Sequence, residues 1–292
     1  MGNRKNLSQH EGDRLTPPNA DFTFLQNRGC FAYLEGEFAT SGGGIVLAGS
    51  KATVSHCKIH NNYVGVSSDG FQNAGGGMYV VNSFAKIQNC SFVQNSAVDT
   101  GGAIFAIDNS FFNQTTLCLK NCLFDGNIGT AVRTLRTQVY LENCTFGRNY
   151  KWSHNDLFDL NTFPTSGPAG ATVTNCIIRD NLRPFMNVTY SNVLDYPGEG
   201  NIDKNPMWVD VANGDFRLRS DSPCIDSGTD VEVLNDLDGK PRPVDVNGRG
   251  IGQGFDMGCY EFQLKRADLD QDGRVDGEDL LMFQEEWMRE GE

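Results

Sequence analysis

Nowhere in the 292-residue chain does an apolar run reach the about 18 residues a membrane-crossing helix needs, so no such helix is expected. Histidine is scarce, with 4 residues, and no pair of the 9 cysteines has zinc-finger spacing in a loop, which argues against structural zinc. A basic excess is missing as well. The formal charge is −13, which disfavours nucleic acid as a partner. What the sequence does hold is 33 glycines, 39% hydrophobic and 21% charged residues, the make-up of a turn-rich chain with a core of adequate size.

One short phrase returns along most of the chain. Cys57, Cys90, Cys122, Cys144 and Cys176 are followed two residues later by Ile59, Phe92, Phe124, Phe146 and Ile178. Five residues after each cysteine stands Asn62, Asn95, Asn127, Asn149 or Asn181. Immediately before it comes His56, Asn89, Asn121, Asn143 or Asn175, and three before it Val54, Ile87, Leu119, Leu141 or Val173. A sixth copy, Phe22-Thr-Phe24-Leu-Gln-Asn27, has phenylalanine in the cysteine slot. From Asn27 to Asn181 the asparagines are 35, 33, 32, 22 and 32 residues apart, the mark of a solenoid.

Within the phrase the apolar period is two, with a polar break before the cysteine. Two short strands meeting at a bend fit this, and an amphipathic helix does not. Gly42-Gly43-Gly44, Gly75-Gly76-Gly77 and Gly101-Gly102 then introduce a further apolar stretch, so each coil holds about three strands. Stacking the coils about 4.8 Å apart sets cysteine on cysteine, phenylalanine on phenylalanine and asparagine on asparagine. An inward amide at a bend would bond the backbone of its own coil and the amide of the next. At this level the chain resembles a right-handed parallel β-helix of the pectin-lyase-like class, an all-β solenoid. The expected boundaries are a β-helix over 1–210, a C-terminal cap over 211–262 and a calcium-loop module over 263–292. Gly2-Asn3 repeats the wording of Gly126-Asn127, so the sequence is expected to open inside a coil.

Three coils exceed the shortest by about ten residues, and the surplus must leave the stack as loops: 63–74, 108–116 and 150–170. The last carries Tyr150, Trp152, His154, Asp156 and Asp159, an aromatic and acidic set suited to sugar, or equally to packing on the coil beneath. Asp125 and Arg148 occupy neighbouring rungs in an outward column and should lie within ion-pair reach. With His60, Arg179 and Asp180 they form a column that is a candidate for contacting carbohydrate and could supply the basic residue of a polysaccharide lyase or the two carboxylates of a hydrolase, or be simply a surface charge ladder. The five repeat cysteines, stacked too far apart to bridge, are expected as buried thiols.

After Asn181 the phrase stops. Gly198-Glu-Gly-Asn-Ile-Asp-Lys-Asn-Pro206, Asn213-Gly-Asp-Phe216, Ser222-Pro-Cys-Ile-Asp-Ser-Gly228, Asp236-Leu-Asp-Gly239 and Asp256-Met-Gly-Cys-Tyr-Glu-Phe262 follow in that order. This series resembles the ending of bacterial surface β-helix proteins called choice-of-anchor Q. The resemblance implies a cap over the open end of the last coil, hiding its strand edges. Cys224 and Cys259 both fall in this cap and are expected to be bridged, which would stabilise it by about 4 kcal/mol and fit an oxidising, extracytoplasmic compartment.

Asp268-Leu-Asp270-Gln-Asp272-Gly273-Arg274-Val-Asp276-Gly-Glu-Asp279 has the spacing of an EF-hand loop. Carboxylates stand at positions 1, 3, 5, 9 and 12, glycine at 6, and the Arg274 carbonyl serves at 7. With aspartate at position 12 and Leu280, Phe283 and Trp287 at helical spacing behind it, the segment resembles one half of a type I dockerin. That resemblance implies bound Ca²⁺ and a cohesin-like partner. From Ala267 onward there are 10 acidic and 2 basic residues, so a net −8 of the chain's −13 sits in this tail.

Three functions follow. One is an extracellular or cell-surface protein that binds or scaffolds polysaccharide and is attached through a calcium-loaded tail. The second is a polysaccharide lyase or glycoside hydrolase acting from the loop-bearing face. The third is a structural adhesin.

Overall fold

The computed structural model describes residues 44–64, 75–109, 115–150, 158–161, 171–182, 186–246, 254–263, 267, 269 and 277–289. Three parallel sheets run the length of the molecule, each fed one strand per coil. The first face contains Ile45–Ala48, Met78–Val81, Ser96–Ile107, Ile128–Leu135 and Phe158–Asn161, with Tyr63–Val64 beside Ser96–Ile107. The second contains Lys51–Ser55, Phe84–Gln88, Thr115–Lys120, Thr137–Glu142, Ala171–Thr174 and Asn187–Thr189. The third contains Lys58–His60, Ser91–Val93, Leu123–Asp125, Thr145–Phe146, Ile177–Asn181 and Asn192–Leu194. The three strands per coil expected from the repeat are therefore present, and the architecture is a parallel β-helix.

Alternation fills the interior. Ile45, Leu47, Ala52, Val54 and Ile59 point in from the first described coil, and their counterparts in later coils stack upon them, all buried. Phe92, Phe124 and Phe146 form a column with ring centroids 5.0 and 4.5 Å apart and nearly parallel planes. The cysteine column is buried and unbridged, as expected. It ends in Ser191, whose hydroxyl accepts the Cys176 N–H at 3.0 Å.

The two asparagine positions do different work. His56, Asn89, Asn121, Asn143 and Asn175 all have φ between 50° and 56°, the left-handed conformation that turns the chain from the second face to the third. Asparagine tolerates it better than other residues with a side chain because its short amide bonds locally. The asparagine five residues after the cysteine forms the inward ladder. Asn127 Oδ1 accepts from Asn95 N–H at 3.0 Å and Asn95 Nδ2 at 3.1 Å, while Asn127 Nδ2 donates to Phe92 O at 2.9 Å and Asn149 Oδ1 at 2.8 Å. Each amide thus satisfies the coil on either side, an arrangement needed because these groups are sealed from water.

The C-terminal region differs from the expected end cap. Only a short piece closes the last coil: Ile202 donates to Ser191 O at 2.9 Å, Val193 to Ile202 O at 2.9 Å and Tyr190 to Glu199 O at 2.8 Å. Beyond it the chain runs back along the outside of the third face as a strap. Its antiparallel hairpin, Trp208–Asp210 with Asp215–Leu218, sits over the coils of Asp125 and Arg148. Further on, Asn121 Nδ2 donates to Asn235 O at 3.1 Å, Asn143 Nδ2 to Gly258 O at 3.3 Å and Asn175 Nδ2 to Thr229 O at 2.6 Å. The left-handed asparagines that turn the coils also dock the strap.

Inside the strap, carboxylates replace regular structure. Asp256 accepts the Asp226 and Phe262 N–H groups, and Glu261 accepts those of Val244 at 2.8 Å and Asp256 at 3.2 Å. Asp236 accepts those of Lys240 at 2.7 Å and Glu261 at 3.2 Å. Arg242 pairs with Glu261 at 3.4 Å, both fully enclosed. Irregular backbone can be buried here because these side chains supply the acceptors that a sheet would otherwise provide.

The expected Cys224–Cys259 bridge is not formed; both are free thiols. Cys224 packs with Ile177, Leu218, Ile225 and Met257, and its sulfur accepts Asn192 Nδ2 at 3.1 Å. Cys259 packs in a different cluster with Leu123 and Phe216. Each belongs to a separate apolar contact with the solenoid, and burial pushes both thiols up to about 12. The carboxylate bonds and asparagine docking close this segment instead.

Candidate functional site

Two of the three outer faces carry buried apolar side chains. On the first face, Tyr79 and Phe105 point outward yet are 7% and 1% exposed, stacked at 5.8 Å among Val81 and Ile107. Burial raises the Tyr79 phenol pKa. On the third face, the outward residues change from Lys58 and Ser91 to Leu123, Thr145 and Ile177, and from the coil of Leu123 onward the strap covers them.

Asp125 and Arg148 form the ion pair expected from their positions on adjacent rungs. Arg148 grips the carboxylate through Nε at 3.1 Å and Nη2 at 2.7 Å, and its backbone N–H adds a bond of 2.9 Å. The pair is nevertheless largely engaged by the hairpin, the Arg148 side chain keeping 35% of its surface exposed. Asp125 is 3% exposed, Arg148 Nη1 donates to Ala212 O at 2.7 Å, and the guanidinium lies 5.8 Å from the Phe216 ring centre. Both residues, proposed as carbohydrate contacts, instead seat the hairpin.

The second face is open among the described residues. Its strands align without a register shift from Lys51–Ser55 through Thr115–Lys120 to Ala171–Thr174, so the outward side chains form a flat lattice. Neighbours are about 4.8 Å apart across rungs and about 6.6 Å apart along a strand. One row reads Lys51, Phe84, Thr116 and Gln138; the next reads Thr53, Lys86, Cys118, Tyr140 and Thr172. The third reads Ser55, Gln88, Lys120, Glu142 and Thr174, with Lys120 and Glu142 ion-paired. Phe84 and Tyr140 stand 41% and 39% exposed among these hydroxyls and amides.

Along the bend from the third face to the first runs a second exposed row: Tyr63, Ser96, Ile128 and Tyr150 in register, with Tyr63 and Tyr150 66% and 60% exposed. Tyr150 is the one member of the predicted aromatic loop whose surroundings are described. Trp152, His154 and Asp156 lie outside the described residues. Asp159 falls in Phe158–Asn161, where its backbone pairs in register with Arg133. Phe84, Tyr140 and Tyr63 were not among the sequence candidates. The signal was available, an aromatic at an outward strand position with polar neighbours on either side.

Of the calcium-loop residues, Asp268, Asp270, Asp272, Arg274 and Asp276 lie outside the described residues. Asp279, at loop position 12, is in the first turn of the helix Gly277–Arg289 and is 4% exposed. Its carboxylate turns back to accept the Leu269 N–H at 2.6 Å. Behind it Leu280, Leu281, Met282 and Phe283 are all exposed.

The fold and its open lattice define a class, the parallel β-helix with a strapped side. Residues 23–146 match the family described as the right handed beta helix region, and with the three parallel sheets this establishes a right-handed parallel β-helix. Among curated proteins no sequence matches. No helix among the described residues is long and apolar enough to cross a membrane.

Proposed function

We propose that the protein is an extracellular or cell-surface β-helix that holds polysaccharide along its solenoid and is attached through a calcium-loaded, dockerin-like tail. The observation that carries the reading is the open second face, where Phe84 and Tyr140 stand exposed on a rigid lattice of threonine, glutamine and lysine. Sugar rings offer apolar C–H faces to aromatics and hydroxyls to amides, so a flat mixed surface suits an extended glycan better than a small molecule. The row of Tyr63, Ile128 and Tyr150 adds a second edge from which the predicted 63–74 and 150–170 loops depart. Binding is favoured over catalysis because Asp125 and Arg148, two members of the outward charged column that could serve a lyase or hydrolase, are engaged by the hairpin.

Affinity electrophoresis in gels containing neutral and acidic polysaccharides tests the reading. Retardation in at least one glycan, lost in Phe84→Ala/Tyr140→Ala with the thermal midpoint kept, is the expected result. Mobility unchanged in every glycan overturns it. Cohesin-like partners are tested by capture on the isolated partner domain with and without Ca²⁺.

A further inference from the structure

We propose that the N-terminal half of the second face selects an anionic glycan, one bearing carboxylate or sulfate groups. The inference rests on the polysaccharide reading above and sharpens it to a ligand class.

Charge is unevenly spread in this molecule. Residues 44–64 and 75–98 of the first two described coils include Lys51, Lys58 and Lys86 and no aspartate or glutamate, the next acid being Asp99 in the strand Ser96–Ile107, although the whole chain carries −13. Lys51 and Lys86 sit on the open face one rung and one row apart, about 8 Å by strand spacing. That backbone spacing puts two flexible cationic side chains on one patch, where an anionic ligand lying between them would meet both. Lys58 extends the patch around the bend, exposed on the part of the third face that the strap leaves open. Lys120 continues the diagonal but is neutralised by Glu142, which ends the patch.

The shape of the site limits the ligand. In-register parallel strands give a flat surface, so a single small anion finds no cradle, whereas a polymer can lie across several rungs and meet successive cations. The Lys51 ammonium lies 5.6 Å from the Phe84 ring centre, so cation and aromatic are presented together, one for a charged substituent and one for the C–H face of the ring that bears it. Thr53, Thr116, Gln88 and Gln138 flank them with hydroxyl and amide groups that can meet sugar hydroxyls. A polyphosphate backbone would use the lysines but leave this hydroxyl-matching surface unused.

Biolayer interferometry on the full chain tests this with dextran sulfate, polygalacturonate, neutral dextran and single-stranded DNA as immobilised probes, over a salt series. The expected result is binding to one or both anionic glycans that weakens as salt rises, and a loss of at least about tenfold in Lys51→Ala/Lys86→Ala. Lys51→Arg/Lys86→Arg should retain it, with thermal midpoints unchanged in both. The sulfated and carboxylated arms identify which substituent is read. DNA binding as tight as the glycans, or affinity unaffected by the alanine pair, overturns the proposal. Wild-type binding to neutral dextran alone also overturns it while leaving the polysaccharide reading in place, and the two therefore fail separately.

Discussion

Phe216 rests with its ring edge on Gly147, so close that a Cβ at position 147 would stand 2.3 Å from its Cζ. Nothing but hydrogen fits between the coil and the hairpin. Beside this contact, Asp125 and Arg148 hold the carbonyl of Ala212 and the face of the same ring. The hairpin of the strap is therefore seated by one missing side chain and one ion pair, while the asparagines hold the rest.

Gly147→Ala should force the hairpin away and destabilise the protein by about 1–3 kcal/mol, the usual cost of overpacking a well-filled contact. Denaturant unfolding gives the total, and hydrogen exchange should place the loss in 208–218 before it reaches the coils. Protection unchanged in the hairpin would contradict this account of how the strap is anchored.

The asparagine ladder makes a second point about burial. Asn127→Ala removes the acceptor of the Asn95 N–H and the donor to Phe92 O, both enclosed, and should cost about 3 kcal/mol. At Asn143, which turns the chain with φ 50°, glycine should be tolerated better than alanine because the conformation is left-handed. Chemical denaturation of the three variants checks both statements.

Much of the solenoid could be read from the chain because its determinants are local and repeated. Cys122, Phe124 and Asn127 stand at the same offsets as Cys90, Phe92 and Asn95, and the stack follows from the offsets. The Asp125–Arg148 contact was readable for the same reason. What covers it was not, since Phe216 belongs to a segment without periodicity. Yet a trace existed: Leu123 and Ile177 occupy an outward position where the earlier coils carry Ser91 and Lys58, and they are 6% and 1% exposed. An apolar residue appearing in an outward column marks where something covers the helix. The Cys224–Cys259 expectation failed because irregular chain gives no rule for side-chain direction, and each thiol turned into a different cluster.

Since Cys224 and Cys259 are free and buried, reductant should leave the thermal midpoint unchanged. In native protein both should resist a thiol reagent at neutral pH, because burial holds them near 12 and shields them from attack. Mass spectrometry of protein unfolded without reductant should find both labelled. Recovery of a 224–259 linked peptide would reverse the conclusion.

The calcium loop predicts a binding event that Asp270→Ala/Asp272→Ala should abolish, since two carboxylates at adjacent ligand positions carry much of the charge that holds the ion. Calorimetry should show one site in the parent chain and none in the variant. If the loop organises the helix Gly277–Arg289 through Asp279, chelation should lower helical circular dichroism in the parent chain alone.

The carboxylate cluster of the strap gives the molecule a pH dependence of definite sign. Burial raises Glu261 from 4.5 to about 7, despite the attraction of Arg242, and burial beside Glu261 raises Asp256 as well. The folded protein then binds protons more tightly than the unfolded chain. The stability this proton contributes is fully present below about pH 4.5 and is lost as pH rises through about 7, by about 3 kcal/mol for Glu261. Unfolding midpoints should therefore be lower at pH 8 than at pH 5. Glu261→Gln, which keeps an acceptor for Val244 N–H and cannot ionise, should flatten that slope. A parent protein that gains stability from pH 5 to pH 8, with the same slope in the glutamine variant, would show that Glu261 ionises at its ordinary value and that Arg242 compensates fully for its burial.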